Sequence, residues 1–549
     1  MRLSATLFRY ALRFGVLLAV LPTSARAQTP GSCAPGEAVG TLNVSDVQAR
    51  LFNGGNLFYG PGYTSGNGYE VPHVLGACGG FLCSPVFAAN FWVAGTVSST
   101  LRTAAATYQR FEFWPGPLDP GATLPNPSDC SGYDRIYVVS TTDVETYENG
   151  GPATPDLAEW PVGLGAPAVD AMGNPVIPTS REQVINLAAG ERPVIHGSQT
   201  AFWVMNDVGN VHAESKSAPL GVEVQVLAFA INSTETALNQ ATVYRYRLIN
   251  RNSALIDSAR VGVWMDSDLG AALDDFIHFD TTRSMMAFYN AANTDVIYGS
   301  PPALGIDLFD GAVTGIYSPD DSGPRGDPTT RVEFSRVLNG RWKDGTPLTE
   351  GGTGYQTGGT IVPFAFPGDP VTDTYWSEEN PNNGPGQNAG GDRRGTITWE
   401  TFDLAPGEAR DLSFAVLFAW GTNRLDSVTR LRAASDRVQT AYDDGTLWNT
   451  VPVAAESAPP AQRALTLHAP APNPAEGYVE AVVETARAGR VRVALYDVLG
   501  REVAVLTDGT RAAGRHALTL DARTLPAGTY LLVAEADSAR AARRLSVVR

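Results

Sequence analysis

Two hydrophobic periods run through the middle of the chain. Residues 221–231, GVEVQVLAFAI, set Val222, Val224 and Val226 against Glu223 and Gln225. A period of two is that of a half-buried strand. Residues 241–250, ATVYRYRLIN, repeat it with Tyr244 and Tyr246 against Arg245 and Arg247. ARVGVWMD (259–266) reads as a third strand and RSMMAFYN (283–290) as a fourth. The short polar connections between the first three predict one antiparallel sheet. FDLAPGEARDLSFAVLFAW (402–420) predicts strand, turn, strand, with Pro406 and Gly407 in the turn. The period then lengthens. In RLDSVTRLRAASDRVQTAYDDG, Leu425, Val428, Leu431, Val438 and Tyr442 share one side of a helix. Asp426 or Ser427 can cap its start, and Gly445 can end it.

The flanks are less regular. From Leu42 to Tyr147, short apolar runs such as VFAANFWVAGTV, LRTAAATYQRFEFW and DRIYVVST are broken by Gly, Pro and Asn. That spacing suits a sandwich or barrel. Residues 150–200 predict a long irregular connection, and residues 318–400 are loop-heavy. A structureless stretch of that size within a domain is often functional. In the last module Val491, Val493 and Leu495 alternate with Arg490, Arg492 and Ala494, and the turn LPAG (525–528) feeds Tyr530, Leu532 and Ala534. The expected fold class is mainly β: antiparallel β-sandwich domains with a C-terminal Ig-like sandwich. The expected order is a leader (1–27), a β-rich N-terminal region with disulfides (28–150), a large β-sandwich region (151–448), an Ala/Pro/Ser linker (449–469) and the C-terminal module (470–549).

The ends and composition set the compartment. Arg2, Arg9 and Arg13 precede the apolar FGVLLAVLP, and Ala25 and Ala27 occupy small-residue positions before Gln28. This is a secretory signal pattern, too short for the roughly 18–20 residues that span a bilayer. No later segment is long and apolar enough to span, so a soluble exported protein is expected. The net charge is −17, and Lys216 and Lys343 are the only lysines. Such a surface disfavours nucleic acid and anionic lipid and suits divalent cations. In an exported chain Cys33, Cys78, Cys83 and Cys130 read as disulfides, with three possible connectivities. The short loop CGGFLC favours Cys78–Cys83, which would leave Cys33–Cys130. Zinc is disfavoured, since no CxxC pair occurs and His73 is the only nearby histidine.

Candidate chemistry concentrates in WMDSDLGAALDDFIHFD, residues 264–280. Asp266, Asp268, Asp274, Asp275 and Asp280 crowd there, with Gly270 placed for a sharp turn. The expectation is a structural calcium site, because calcium takes about six to eight oxygens and carboxylates in a loop supply them. The EF-hand ladder is absent. The alternative is a hydrolytic carboxylate pair, Asp266 with Asp275 or Glu223. Such a cleft would want aromatic platforms, for which Trp203, Trp264, Trp376 and Trp399 are candidates, although a sandwich tryptophan is more often core. The six histidines are scattered, with His212 and His278 able to meet only through the fold. No HExxH, GxSxG or P-loop signature occurs. Glu378, Glu379, Asp392, Arg393 and Arg394 read as surface ion pairs on a mobile loop.

APNP (471–474), LYDVLGREV (495–503), LPAGTYLLV (525–533) and the terminal RRLSVVR (543–549) together resemble a type A sorting domain of the type IX secretion system. Pro472, Asn473, Pro474, Gly500, Pro526 and Gly528 carry the motif. The resemblance implies export across the inner membrane by the leader and across the outer membrane by this domain. It implies the secretion machinery as partner, cleavage of the domain, and a product released or fixed to surface lipopolysaccharide. Residues 40–445 resemble the uncharacterised N-terminal region of many cargo proteins of that system. The matching stretches are NVSDVQARLFNGGNLFYG (43–60), YQRFEFWPGPL (108–118), FWVMNDVGNVH (202–212), the acidic stretch and DRRG (392–395). That likeness implies no activity. The expected function is a non-enzymatic adhesion or glycan-binding component, secreted or on the cell surface, with structural calcium. The alternatives are a secreted hydrolase using Asp266 and Asp275, and a purely structural surface-layer part.

Overall fold

In the computed structural model the described residues are 31–60, 68–73, 78, 83–108, 111–119, 127–319, 321–381, 387–448, 465–467, 470, 473, 475, 477–485, 487–496, 501–536 and 539–548. The expected leader and most of the linker lie outside them. The chain divides into two units, Met1–Val451 and Pro452–Arg549.

The larger unit is built on two antiparallel sheets. One has ten strands, along the path Val39–Leu42, Gln48–Phe52, Asn56–Leu57, Val86–Val97, Ile256–Ser267, Arg393–Trp399, Ala312–Pro319, with three short strands added off it. The other has nine, along Asp275–Asp280, Met285–Asn290, Pro302–Leu308, Ala409–Trp420, Ala241–Asn250, Val222–Ala230, Gln199–Asn206, Trp114–Pro115, with Tyr137–Ser140 beside Gln199–Asn206. Inward side chains of both form a single core that includes Val224, Tyr246, Phe414, Phe91, Val263 and Ile397. Strands from before and after residue 150 are neighbours in both sheets, as Val86–Val97 is to Ile256–Ser267.

Val222, Val224 and Val226 face the main core as the alternation predicts, but the strand is not half-buried: every position of Val222–Ala230 except Gln225 is buried, and it pairs with Ala241–Asn250 over its whole length. The third strand departs from expectation. Ile256–Ser267 crosses into the facing sheet. Two buried asparagines build that corner. The Asn250 side chain donates to the carbonyls of Ala254 (2.9 Å) and Leu404 (2.8 Å), and the Asn252 side chain donates to the Leu220 carbonyl (2.9 Å). Backbone groups freed at the turn are thereby satisfied without a sheet partner.

The expected helix spans Arg424–Asp443, but its cap is Asn423, whose Oδ1 accepts from the amides of Leu425 and Asp426. Val428, Leu431 and Val438 pack on the outer face of the nine-stranded sheet against Phe229, Val243 and Leu417. Residues 150–200 are no plain connection. With Tyr137–Ser140 and the capped helix Thr141–Glu148, they form a further layer on that face, with its own core of Trp160, Leu157, Ile185 and Phe202. The loop-heavy stretch contributes helix Arg331–Leu338 and sends Trp342, Phe366 and Trp376 into the main core. The disulfides are Cys33–Cys130 and Cys78–Cys83.

The smaller unit has a three-stranded sheet (Leu465–Leu467, Tyr478–Thr485, Gly514–Asp521) and a four-stranded one (Glu502–Arg511, Gly489–Tyr496, Gly528–Ala536, Ala539–Val547). They enclose Val479, Val483, Val491, Val493, Leu495, Leu532 and Leu545.

Candidate functional site

The acidic stretch is a bridge between the two sheets. Trp264–Ser267 ends a strand of the ten-stranded sheet, residues 268–274 cross over, and Asp275–Asp280 is the first strand of the nine-stranded path. Three of its five aspartates are buried: Asp266 at 4%, Asp275 at 0% and Asp280 at 6% exposure. The five do not share one shell of partners.

Asp266 stands opposite Arg394 in strand register. Its Oδ2 accepts from the Tyr108 hydroxyl at 2.6 Å and lies 3.4 Å from the Arg394 guanidinium. Arg394 also holds Asp327 (3.0 Å) and Asp392 (2.8 Å). Burial pushes the Asp266 carboxyl upward and Arg394 opposes it. Burial and the charge of Asp392 push Asp268 up to about 6.

Asp274 and Asp275 form a second knot. Asp275 Oδ2 accepts from the Leu269 amide at 3.2 Å, and its Oδ1 accepts no hydrogen bond. Burial holds this carboxyl well above its usual range. Asn290, opposite Asp275 in register, donates to Asp274 Oδ1 (3.0 Å) and to the Leu269 carbonyl (3.1 Å); its own Oδ1 accepts none. Gly270 has φ +84°, and a Cβ there would fall 2.2 Å from Asp295 Oδ2, so the turn requires glycine.

Asp280 belongs elsewhere. Its Oδ1 accepts from the amides of Thr282 and Arg283, and its Oδ2 meets Arg283 (3.0 Å) and Arg432 (3.2 Å). Among the described residues, no three His, Cys, Asp or Glu side chains are grouped as a metal site in this arrangement.

The catalytic alternatives find no open face. Neither Asp266 nor Asp275 meets solvent appreciably, and Glu223 is spent on Arg251 and the Leu118 amide. Trp203, Trp264, Trp376 and Trp399 are all core, at 2% exposure or less. The ion pairs expected on a mobile surface loop are largely internal. Glu378 is 1% exposed, pairs with Arg393 at 2.9 Å and accepts from the Ile277 amide at 2.7 Å; Glu379 pairs with Arg424. Residues 382–386 of that loop lie outside the described residues.

His212 and His278 do not share partners. The His278 Nδ1 donates to the Phe366 carbonyl and Nε2 accepts from Arg432, and burial pulls its pKa down to about 4. His212 was the less legible of the two. Both of its ring nitrogens face carbonyls, of Thr103 (2.9 Å) and Asp207 (2.7 Å), so both donate. Glu112 lies 3.1 Å away and Ser215 3.4 Å. Burial opposes its charge, but the hydrogen bond and charge of Glu112 prevail and carry it up to about 9. Serine, histidine and acid meet here, yet all three are sealed in the interior. The group is a buried imidazolium that ties residues 103, 112, 207 and 215 together.

In the smaller unit Asn473 Oδ1 accepts from the Ser546 amide at 2.8 Å, pinning the last strand. The Tyr530 hydroxyl donates to the Pro526 carbonyl at 2.8 Å, and Gly528 opens a strand opposite Val547. Pro472, Pro474 and Gly500 lie outside the described residues.

These features define a β-sandwich protein with a separate C-terminal sandwich. Residues 471–548 match the secretion system C-terminal sorting domain family, and the chain is a cargo protein of the type IX secretion system. The domain implies interaction with that machinery and a secreted or cell-surface destination. No curated protein matches the chain. Among solved structures it is similar to a polysaccharide lyase, at 10% identity and TM-score 0.19, over 60% of this chain and 34% of that one. It is also similar to dimeric latent PorU from Porphyromonas gingivalis, at 10% identity and TM-score 0.14, over 64% and 31%. The chain spans about a third of the length of each, and likenesses this low carry no argument about activity. Among the described residues no helix is long and apolar enough to cross a membrane.

Proposed function

We propose that the larger unit is a non-enzymatic binding component, delivered to the cell surface or medium, and that its acidic bridge is a structural junction held by calcium. The observation that carries this is the disposition of the carboxylates. Asp266 and Asp280 are committed to arginines inside the protein rather than to a cleft. Two oxygens at the crossover, Asp275 Oδ1 and Asn290 Oδ1, are buried on paired positions with no donor. Ionised, a buried carboxylate with an unmet oxygen is costly, and a hard divalent cation is the ligand that would hold it in that form. The charges of Asp274 and Asp268 bear on Asp275, while Asp280 is held by Arg283 and Arg432. Export supports the reading, since calcium is available outside the cell. Chelation followed by a melt tests the ion: Asp275→Asn should abolish any calcium-dependent rise in midpoint. Glycan-array binding of the mature chain, with no release of sugar or peptide, tests the non-enzymatic assignment. Turnover lost in Asp266→Asn would overturn it.

A further inference from the structure

The outer face of the nine-stranded sheet is not wholly covered. The helix Arg424–Asp443 sits over one part of it and the layer around Trp160 over another. Between them lies a groove of about 430 Å³ whose lining includes Phe202, Gln225, Arg245, Arg247, Arg251 and Gly407. That volume is within the usual range of small-ligand sites. Its polarity is opposite to that of the chain, which carries −17 overall.

The three guanidiniums differ in what they already hold. Arg251 pairs with Glu223 at 3.0 Å, and Arg247 lies 3.3 Å from Asp411 at the exposed rim. Arg245 faces Leu227 and Ser413 across the strands, and among the described residues no carboxylate pairs with it. The Trp448 ring lies 5.2 Å from its guanidinium. Burial, which disfavours its charge, is its largest perturbation. A half-buried guanidinium without a carboxylate is a preorganised oxyanion receptor, because its planar fork matches a carboxylate in two parallel hydrogen bonds.

The floor also restricts the occupant. Val222–Ala230, Ala241–Asn250 and Ala409–Trp420 are central strands, paired on both sides. An extended peptide cannot add to them through its backbone, the mode by which sheets usually take peptides. Recognition must come from side chains: guanidiniums for an anion, the Gln225 amide for hydroxyls, and Phe202, Leu227 and Ile249 for an apolar ring face. We infer that this groove binds a carboxylate-bearing saccharide, with Arg245 as the anion-binding residue. The inference rests on the reading of the larger unit as a binding component and names its ligand class.

The test is calorimetric titration of the full mature chain with hyaluronate tetrasaccharide, neutral chitotetraose and a glutamate tetrapeptide. The expected result is binding of the hyaluronate fragment alone, weakened by salt and reduced at least tenfold in Arg245→Gln. Arg247→Gln, at the exposed rim, should weaken it several-fold and serves if the first variant folds poorly. Arg437→Gln, on the distant helix surface, should change nothing. Hyaluronate binding unaltered in both groove variants, or no hyaluronate binding at all, would overturn the groove. So would preference for the peptide. Binding of chitotetraose independent of Arg245 would overturn it while leaving a binding protein. Arg245-dependent cleavage of the tetrasaccharide would keep the groove and overturn the non-enzymatic reading.

Discussion

Arg394 is the residue on which most buried charge converges. It faces Asp266, Asp327 and Asp392 with a side chain only 10% exposed. Removing one partner of a buried ion network leaves the others uncompensated. Arg394→Ala should therefore cost about 3–5 kcal/mol in urea unfolding, well beyond the effect of replacing exposed Arg490. Asp307 makes a second case. It is fully buried beneath the helix, accepts from Ser435 at 2.6 Å, and is pushed by burial up to about 7. A carboxyl raised in the folded state stabilises it fully below the unfolded value, and that stability is lost as pH rises through the folded one. Asp307 thus predicts weakening between about pH 4 and 7. His212, raised to about 9, adds a further loss as pH climbs from about 6.5 through 9. Unfolding midpoints at pH 5, 7 and 9 should fall in that order. Asp307→Asn should flatten the first interval and leave the second. None of these roles was legible in sequence, where Asp307 and His212 sit in ordinary strand and turn contexts; burial and partners come from residues far away in the chain.

At the scale of elements, local chemistry was the better guide. The Arg424–Asp443 helix was marked by its period, although three polar residues in a row at its start hid which one caps it. Asn423→Ala should cost about 1 kcal/mol, the usual loss on removing such a cap, readable as a lower midpoint with unchanged sheet signal. The strands were legible for the same reason, since alternation reports the period directly. The sheet to which a strand belongs was not. Both sheets face one core, so the same alternation fits either, and the crossing at Asn250 depends on carbonyls from residues 220 and 404. Residues 268–274 do follow a strand end, but their crossing to the facing sheet was not legible for the same reason. The Arg245–Arg247 alternation was visible, but its meaning lay in which cross-strand neighbours carried no acid.

Across the whole molecule the sorting domain was the most legible part, because its described motif residues make contacts within one small sandwich. Asn473 reaches Ser546 and Pro526 holds Tyr530. The larger unit has its own core and both disulfides. Deleting residues 470–549 should leave its melting transition intact and strand it in the periplasm; fractionation that finds it on the surface would contradict the assignment of the tail. On the reading proposed above, the 264–280 bridge is a calcium-held junction and not an active site. The most direct measurement is the thermal midpoint of the mature chain in chelator and in millimolar calcium, for wild type and Asp275→Asn. Saturation at a hundredfold over Kd is worth about 2.7 kcal/mol, so calcium should raise the wild-type midpoint by a few degrees and leave the variant unmoved. Equal wild-type midpoints in the two conditions, or a shift that persists in Asp275→Asn, would contradict the claim.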